Sequence, residues 1–132
     1  MALNADLVGK TYPLVRIEVE SERVRAFAAA VGYPDDGVPP TFVTVPEIVA
    51  GLGNVVHDPD LGLDLARVLH GDQEYRWQRP IQVGETLVAH ATIDSIRGKG
   101  DTEFLAIRTE ISDAAGAVVV EARTTLIVRS VA

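Results

Sequence analysis

The sequence predicts an α+β domain: a curved antiparallel sheet wrapped around one central helix. Three observations carry that. The stretch at 39–56, PPTFVTVPEIVAGLGNVV, is the most apolar long segment, and Phe42, Val45, Val49 and Leu52 recur in it at helical offsets of three, seven and ten. Most of the chain beyond residue 67 reads as strands, with period-two alternation broken by Gly, Pro and Asp. The last three of these strands are joined by short turns, which fits an antiparallel meander and needs no crossover.

Taken in order, 11–19 alternates Val15, Ile17 and Val19 against Arg16, Glu18 and Glu20, a short half-buried strand. Ser21 is placed to cap a helix over 22–31, where Val24, Phe27, Ala28 and Val31 share a face and Gly32 can close the last turn. The run YPDDGVPP at 33–40 is a loop. In the central helix Thr44 and Glu47 have the spacing of a capping box, and Pro46 suits the first turn. A helix apolar on most sides is expected to be buried. The segment 57–68 is polar and turn-rich, expected to cover an edge of the sheet. Strands are predicted at 68–78, 85–96, 103–112 and 117–129, with turns at 78–84, at 97–101 (RGKGD) and at 113–116 (DAAG).

A chain of 132 residues is sized for a single domain, 1–132, with room for a substantial core. Without cysteine, disulfides, thiolate nucleophiles and Cys-based metal sites are excluded. The net charge of −7 argues against nucleic acid as a partner. Residues 1–66 hold four Lys/Arg against ten Asp/Glu, and residues 67–132 eight against nine, so any site for an anion is expected in the second half. No run of eighteen apolar residues predicts a membrane span, and MALNADLVGK lacks a basic then apolar leader, so a cytoplasmic location is expected.

The stretch HGDQEYRWQRPIQVGETL at 70–87, with Arg79-Pro80 followed by Val83-Gly84-Glu85-Thr86-Leu87, resembles the MaoC-like (R)-specific hydratases and (3R)-hydroxyacyl-thioester dehydratases. The opening MALNADLVGKTYP, the PPTF at 39–42 and DPDLGLDLARVLHGDQ at 58–73 are similar to the small actinobacterial subunits of fatty- and mycolic-acid dehydratases. The resemblance implies a hot-dog fold, lyase chemistry in fatty acid biosynthesis, an acyl thioester of CoA or of acyl carrier protein (ACP) as ligand, and no cofactor. It also brings out a departure. Active members carry Asp-x-Asn-Pro-x-His-x-Asp before the central helix, its Asp and His converging on one thioester as general acid and base. Here the corresponding loop is the short YPDDGVPP, and no histidine precedes His57. The catalytic pair therefore does not carry over.

The remaining candidates are weak ones. His70 with Asp72, or Asp36, are the only residues left for atypical catalysis; His70 has a structural hydrogen bond as its rival reading, and Asp36 a solvated turn. His57 and His90 read as surface and sheet residues. Three scattered histidines give no metal site, and no serine stands in a Gly-x-Ser-x-Gly elbow. Phe42, Val45 and Val49 on the helix, and Tyr75 and Trp77 on one strand face with Gln73, are candidates to line an acyl channel or simply core. Arg76 and Arg79 could meet a carrier phosphate, with solvated charge as the rival reading. Glu47, the one acid early in the central helix, reads as a cap rather than a thioesterase carboxylate.

Three functions are compatible with these residues. The first is a non-catalytic or accessory subunit of a (3R)-hydroxyacyl-thioester dehydratase, pairing with a catalytic hot-dog subunit. The second is an active homodimeric (R)-specific enoyl hydratase with atypical residues. The third is an acyl-thioester-binding or assembly module without chemistry. All three expect a homodimer or heterodimer, because exposed sheet edges tend to pair.

Overall fold

The computed structural model of the chain describes residues 2–129. Five strands, β1 (Val15–Glu18), β2 (Val68–Trp77), β3 (Thr86–Lys99), β4 (Thr102–Asp113) and β5 (Val118–Arg129), form one sheet. Their order is β1-β3-β4-β5-β2, every pairing antiparallel. β3, β4 and β5 are the expected meander. Their turns come from local chemistry: Gly100 and Gly116 take positive φ, and the Asp113 carboxylate accepts the Ala115 and Ala117 N–H groups at 3.0 Å each. The expected turn at 97–101 is shorter, since β3 runs on to Lys99. β2 adds to the far side of β5 and leaves its other edge unpaired among the described residues.

One face of the sheet is buried, as the alternation predicts: Leu87, Ala89, Ala91 and Ile93 on β3 all point inward. The opposite face is charged, with Asp94 paired to Arg123 and to Arg108. The helix α1 (Ser21–Val31) ends at Gly32, whose φ of 71° is the left-handed closure expected. Ser21 does not cap it. Glu20 occupies that position without a side-chain bond, so Ser21 is already helical. In the segment 57–68, Leu61 is fully buried beside Leu3, Tyr12 and Val55, and its carbonyl accepts from Asn4 N–H.

The central helical segment differs most from expectation. It is a 3₁₀ turn (Pro40–Val43), a π-helix (Pro46–Leu52) and a short α-helix, α2 (Gly53–Val56). The capping box does not form: Thr44 Oγ1 donates back to Thr41 O, and Glu47 turns into the interior. An i→i+5 ladder takes more residues per turn than the 3.6 of an α-helix, so the buried face shifts. It falls on Phe42 and Val43, Pro46 and Glu47, Ala50 and Gly51, and Val55. Val49, placed on the buried stripe by a 3.6-residue reading, is instead 60% exposed, and Ile48 is 53% exposed. Only one side of the segment is buried.

The helix lies across a core in two parts. One contains Phe42, Ala50, Leu87, Ala89, Ile111 and Val120; the other contains Val55, Ala91, Ile93, Leu105, Ile107 and Leu126. Between them, Thr109 on β4 and Thr124 on β5 face inward, and with Glu47 they are the buried polar residues of the described chain. Gly51 sits over Thr109 so closely that a Cβ there would lie 2.4 Å from Thr109 Cγ2.

Candidate functional site

The polar belt is the one place among the described residues where titratable chemistry enters the interior between the two halves of the core. Glu47 is 1% exposed, and its carboxylate is held by three neutral side chains. Tyr75 OH donates to Oε1 at 2.6 Å, while Gln73 Nε2 (2.8 Å) and Thr124 Oγ1 (2.6 Å) donate to Oε2. Among the described residues no cation pairs with it. The strand period explains the convergence: Gln73 and Tyr75 on β2 stand opposite Thr124 and Ala122 on β5, all on the inner face. Burial, and then the Glu47 carboxylate, push the Tyr75 hydroxyl well above its usual range, so it stays a donor.

Because Gln73 turns its NH₂ to a carboxylate, its Oε1 faces the other way. There it lies 2.9 Å from Thr124 Oγ1 and 3.0 Å from His70 Nε2. An amide oxygen only accepts, so His70 carries its proton on Nε2 in this arrangement. A carboxylate and an imidazole are thus linked through one carboxamide, with the imidazole at the exposed edge of β2.

Asp72 does not join His70. A bulge between His70 and Asp72 leaves Asp72 opposite Thr125 on the outer face. Asp36 lies exposed in the 33–40 loop. His57 bonds Gly53 O through Nδ1, and the neighbouring Asp58 takes Lys10 and Tyr12 instead. Phe42 is fully buried, edge-on to Phe27 at 5.4 Å, which gives it a core position. Val45 is half-buried and Val49 exposed. Tyr75 is half-buried against the first core cluster, and Trp77 is 38% exposed.

Arg76 pairs with Glu74 in the solvent. Arg79 is committed: its guanidinium donates to both oxygens of Glu85 (2.6 and 3.0 Å), to Asp113 Oδ2 (3.4 Å) and to Pro80 O (2.9 Å). Those bonds push Arg79 up, and Glu85 is held below the usual carboxylate range chiefly by Arg79. Trp77 and Arg79 border a cleft of about 290 Å³ walled by Val38, Pro39, Pro40 and Ile81. A broader groove of about 620 Å³ runs past Ile48, Val49, His57 and Asp58. Among the described residues no group of His, Asp or Glu could hold a metal ion, and no helix is long and apolar enough to cross a membrane.

Gln73 was visible in the sequence as a neighbour of Tyr75, but Glu47 and Thr124 were missed as its partners. Two signals pointed to them: an acid inside the most apolar run, and a threonine in the inward row of β5 where an aliphatic residue is the rule.

A five-stranded antiparallel sheet holding one helix across its inner face is the hot-dog fold, and solved structures of MaoC-like proteins share it. The HadBC (3R-hydroxyacyl-ACP dehydratase) complex from Mycobacterium tuberculosis superposes with a TM-score of 0.74 at 25% identity, over 92% of this chain and 97% of that one. The (R)-hydratase from A. caviae involved in PHA biosynthesis matches at 0.66 and 16% identity, over 90% and 94%.

The profile of the FAS1-like dehydratase domain region matches residues 28–122, and the chain belongs to that MaoC-like dehydratase family. A UPF0336 protein of Streptomyces coelicolor is 40% identical, over 98% of this chain and 97% of its own length. One of Saccharopolyspora erythraea is 36% identical, over 100% and 95%. The Streptomyces alignment runs over 147 positions, at least fifteen more than the 132 residues of this chain, so that relative carries internal residues this chain lacks.

Proposed function

We propose that this protein is the non-catalytic subunit of a (3R)-hydroxyacyl-thioester dehydratase, pairing with a catalytic hot-dog chain and helping to hold the acyl group. The observation that carries it is the lead-in to the central helix. Where active members place an Asp and a His, this chain has a short loop with no imidazole, and the helix follows directly. The edge of β2, ten residues long and unpaired among the described residues, supports pairing with a second sheet.

Reconstitution tests this. Purified alone, the chain should not hydrate crotonyl thioesters; mixed with a hot-dog protein bearing the Asp/His motif, it should raise that partner's rate on long-chain substrates at least about tenfold. Hydration by the lone protein at the rate of the mixture rejects the reading.

A second reading rests on the His70–Gln73–Glu47 chain, which puts an imidazole in line with a buried carboxylate. It makes the protein an active hydratase with atypical residues, and it requires that His70→Ala abolish turnover by the lone chain. Retention of turnover in that variant excludes it.

A further inference from the structure

The outer face of the sheet carries a charge pattern that is complementary to itself. We propose that this face docks, back to back, on the same face of a second copy of this chain, leaving the edge of β2 free.

The strand register sets out the pattern. One row across β3, β4, β5 and β2 reads His90, Glu110, Glu121, Arg76. The next row, two residues along each strand, reads Thr92, Arg108, Arg123, Glu74. Both rows point away from the helix, since their strand neighbours Ala91, Thr109 and Ala122 are buried and Tyr75 packs on the core. So β4, β5 and β2 each carry an acid in one row and an arginine in the other. A two-fold axis between the rows, and parallel to them, lays the first row over the partner's second. Glu110 then meets the partner's Arg108, Glu121 the partner's Arg123, and Arg76 the partner's Glu74, each pair formed twice. Stacked sheets lie about 10 Å apart and cross at about 30°. That displaces the columns on either side of β5 by only about 2–3 Å, within the reach of Arg and Glu.

Within one chain the face is left unbalanced. Glu110 and Glu121 stand directly opposite each other, as do Arg108 and Arg123, and like charges so placed repel. Asp94 answers the arginine pair by bonding both members. The acid pair has no such answer. Arg108 comes only within 4.0 Å of Glu110, Arg76 turns to Glu74, and Glu121 has no ion-pair or hydrogen-bond partner among the described residues. A uniformly basic partner would satisfy the acids but clash with the arginines beside them. The chain's own face satisfies both.

The flanking rows permit close approach. Ser112, with Val88 and Val118, lies on one side, and Ala106 with Thr125 on the other, and the two-fold lays one over the other. A sheet curved around its helix is convex outside, so contact is confined to these rows, about 500 Å² on each copy. That is less than a stable dimer needs, so the association should be weak, with a Kd of about 10–100 μM at low salt.

Sedimentation velocity of the full chain, from about 5 μM to about 1 mM, tests this. In about 20 mM NaCl the mass should double reversibly with concentration, from 14.2 kDa or from an edge-paired dimer where one forms. In about 500 mM NaCl the doubling should be at least about tenfold weaker. Glu121→Lys relieves the repulsion of Glu110, so its stability in urea should equal or exceed that of the natural chain, yet it should associate at least about tenfold more weakly. Association through the edge of β2 would not respond, because Glu121 stands on β5, an interior strand. Arg76→Glu should also weaken the doubling, and adding Glu74→Arg, which exchanges the two signs of that column, should recover most of it. No doubling up to about 1 mM, doubling unchanged by salt, full association of Glu121→Lys, or a double variant no better than Arg76→Glu alone would each overturn the proposal.

Discussion

Two carboxylates are drawn in on the helical side of this sheet, to different depths and with different partners. Asp58 lies where the segment after α2 meets the N-terminal residues, with 6% of its side chain exposed. It accepts Lys10 Nζ at 2.6 Å, Tyr12 OH at 2.7 Å and the Asp60 N–H at 2.9 Å. The Lys10 ammonium and the Tyr12 hydroxyl hold its carboxyl at about 2, below its ordinary 3.8. Glu47, the more deeply buried at 1% exposed, has three neutral donors and, among the described residues, no cation.

An ion pair of the first kind fastens two chain segments and leads no further. A buried carboxylate without a counter-ion costs more to keep than an apolar side chain of the same size. Two of the Glu47 donors, Gln73 and Tyr75, stand on β2, the last strand of the sheet.

The contrast can be broken or sharpened by substitution. The largest effect is expected from Glu47→Ala, which strands Gln73, Tyr75 and Thr124 donors and opens a void. It should cost about 3 kcal/mol in urea unfolding, and a loss below about 1 kcal/mol would show that water replaces the carboxylate freely.

Gly51→Ala comes next, at about 2 kcal/mol, because its Cβ would strike Thr109 Cγ2. Combining it with Thr109→Ala should recover most of that loss, and strict additivity of the two changes would disprove the clash.

Asp58→Asn is the smallest, about 1–2 kcal/mol at neutral pH. Its sign follows from the lowered folded value: ionised Asp58 stabilises above about pH 4, and that contribution disappears as pH falls toward about 2. Stability of the natural chain should therefore decline over that interval more steeply than that of Asp58→Asn, and parallel declines would place the acid sensitivity elsewhere.

The sheet was legible in the sequence because its signal has a period of two that tertiary context does not alter. Leu87, Ala89, Ala91 and Ile93 of β3 point inward as alternation requires, and Asp113 and Gly116 mark the turn between β4 and β5. The family could be read from the Arg79–Leu87 block, and Arg79 and Glu85 of that block prove to be partners.

The helical segment was legible as a helix but not in phase. A search at 3.6 residues selected Val49 and passed over Glu47, since nothing in local propensity marks a π-turn. The site inherited that error: with Glu47 taken for a cap, Gln73 and Thr124 had no reason to converge. Their association spans 26 and 77 positions of sequence, a separation that pattern reading does not bridge.

The π-turn has one further consequence, for how this lineage can vary. The wide turn absorbs one residue more than regular winding would hold, so deleting a codon at its exposed positions, Ile48 or Val49, and closing the stretch to about 3.6 residues per turn would leave Val55 facing the core. The residue count of this stretch can therefore change by one while the downstream face keeps its phase.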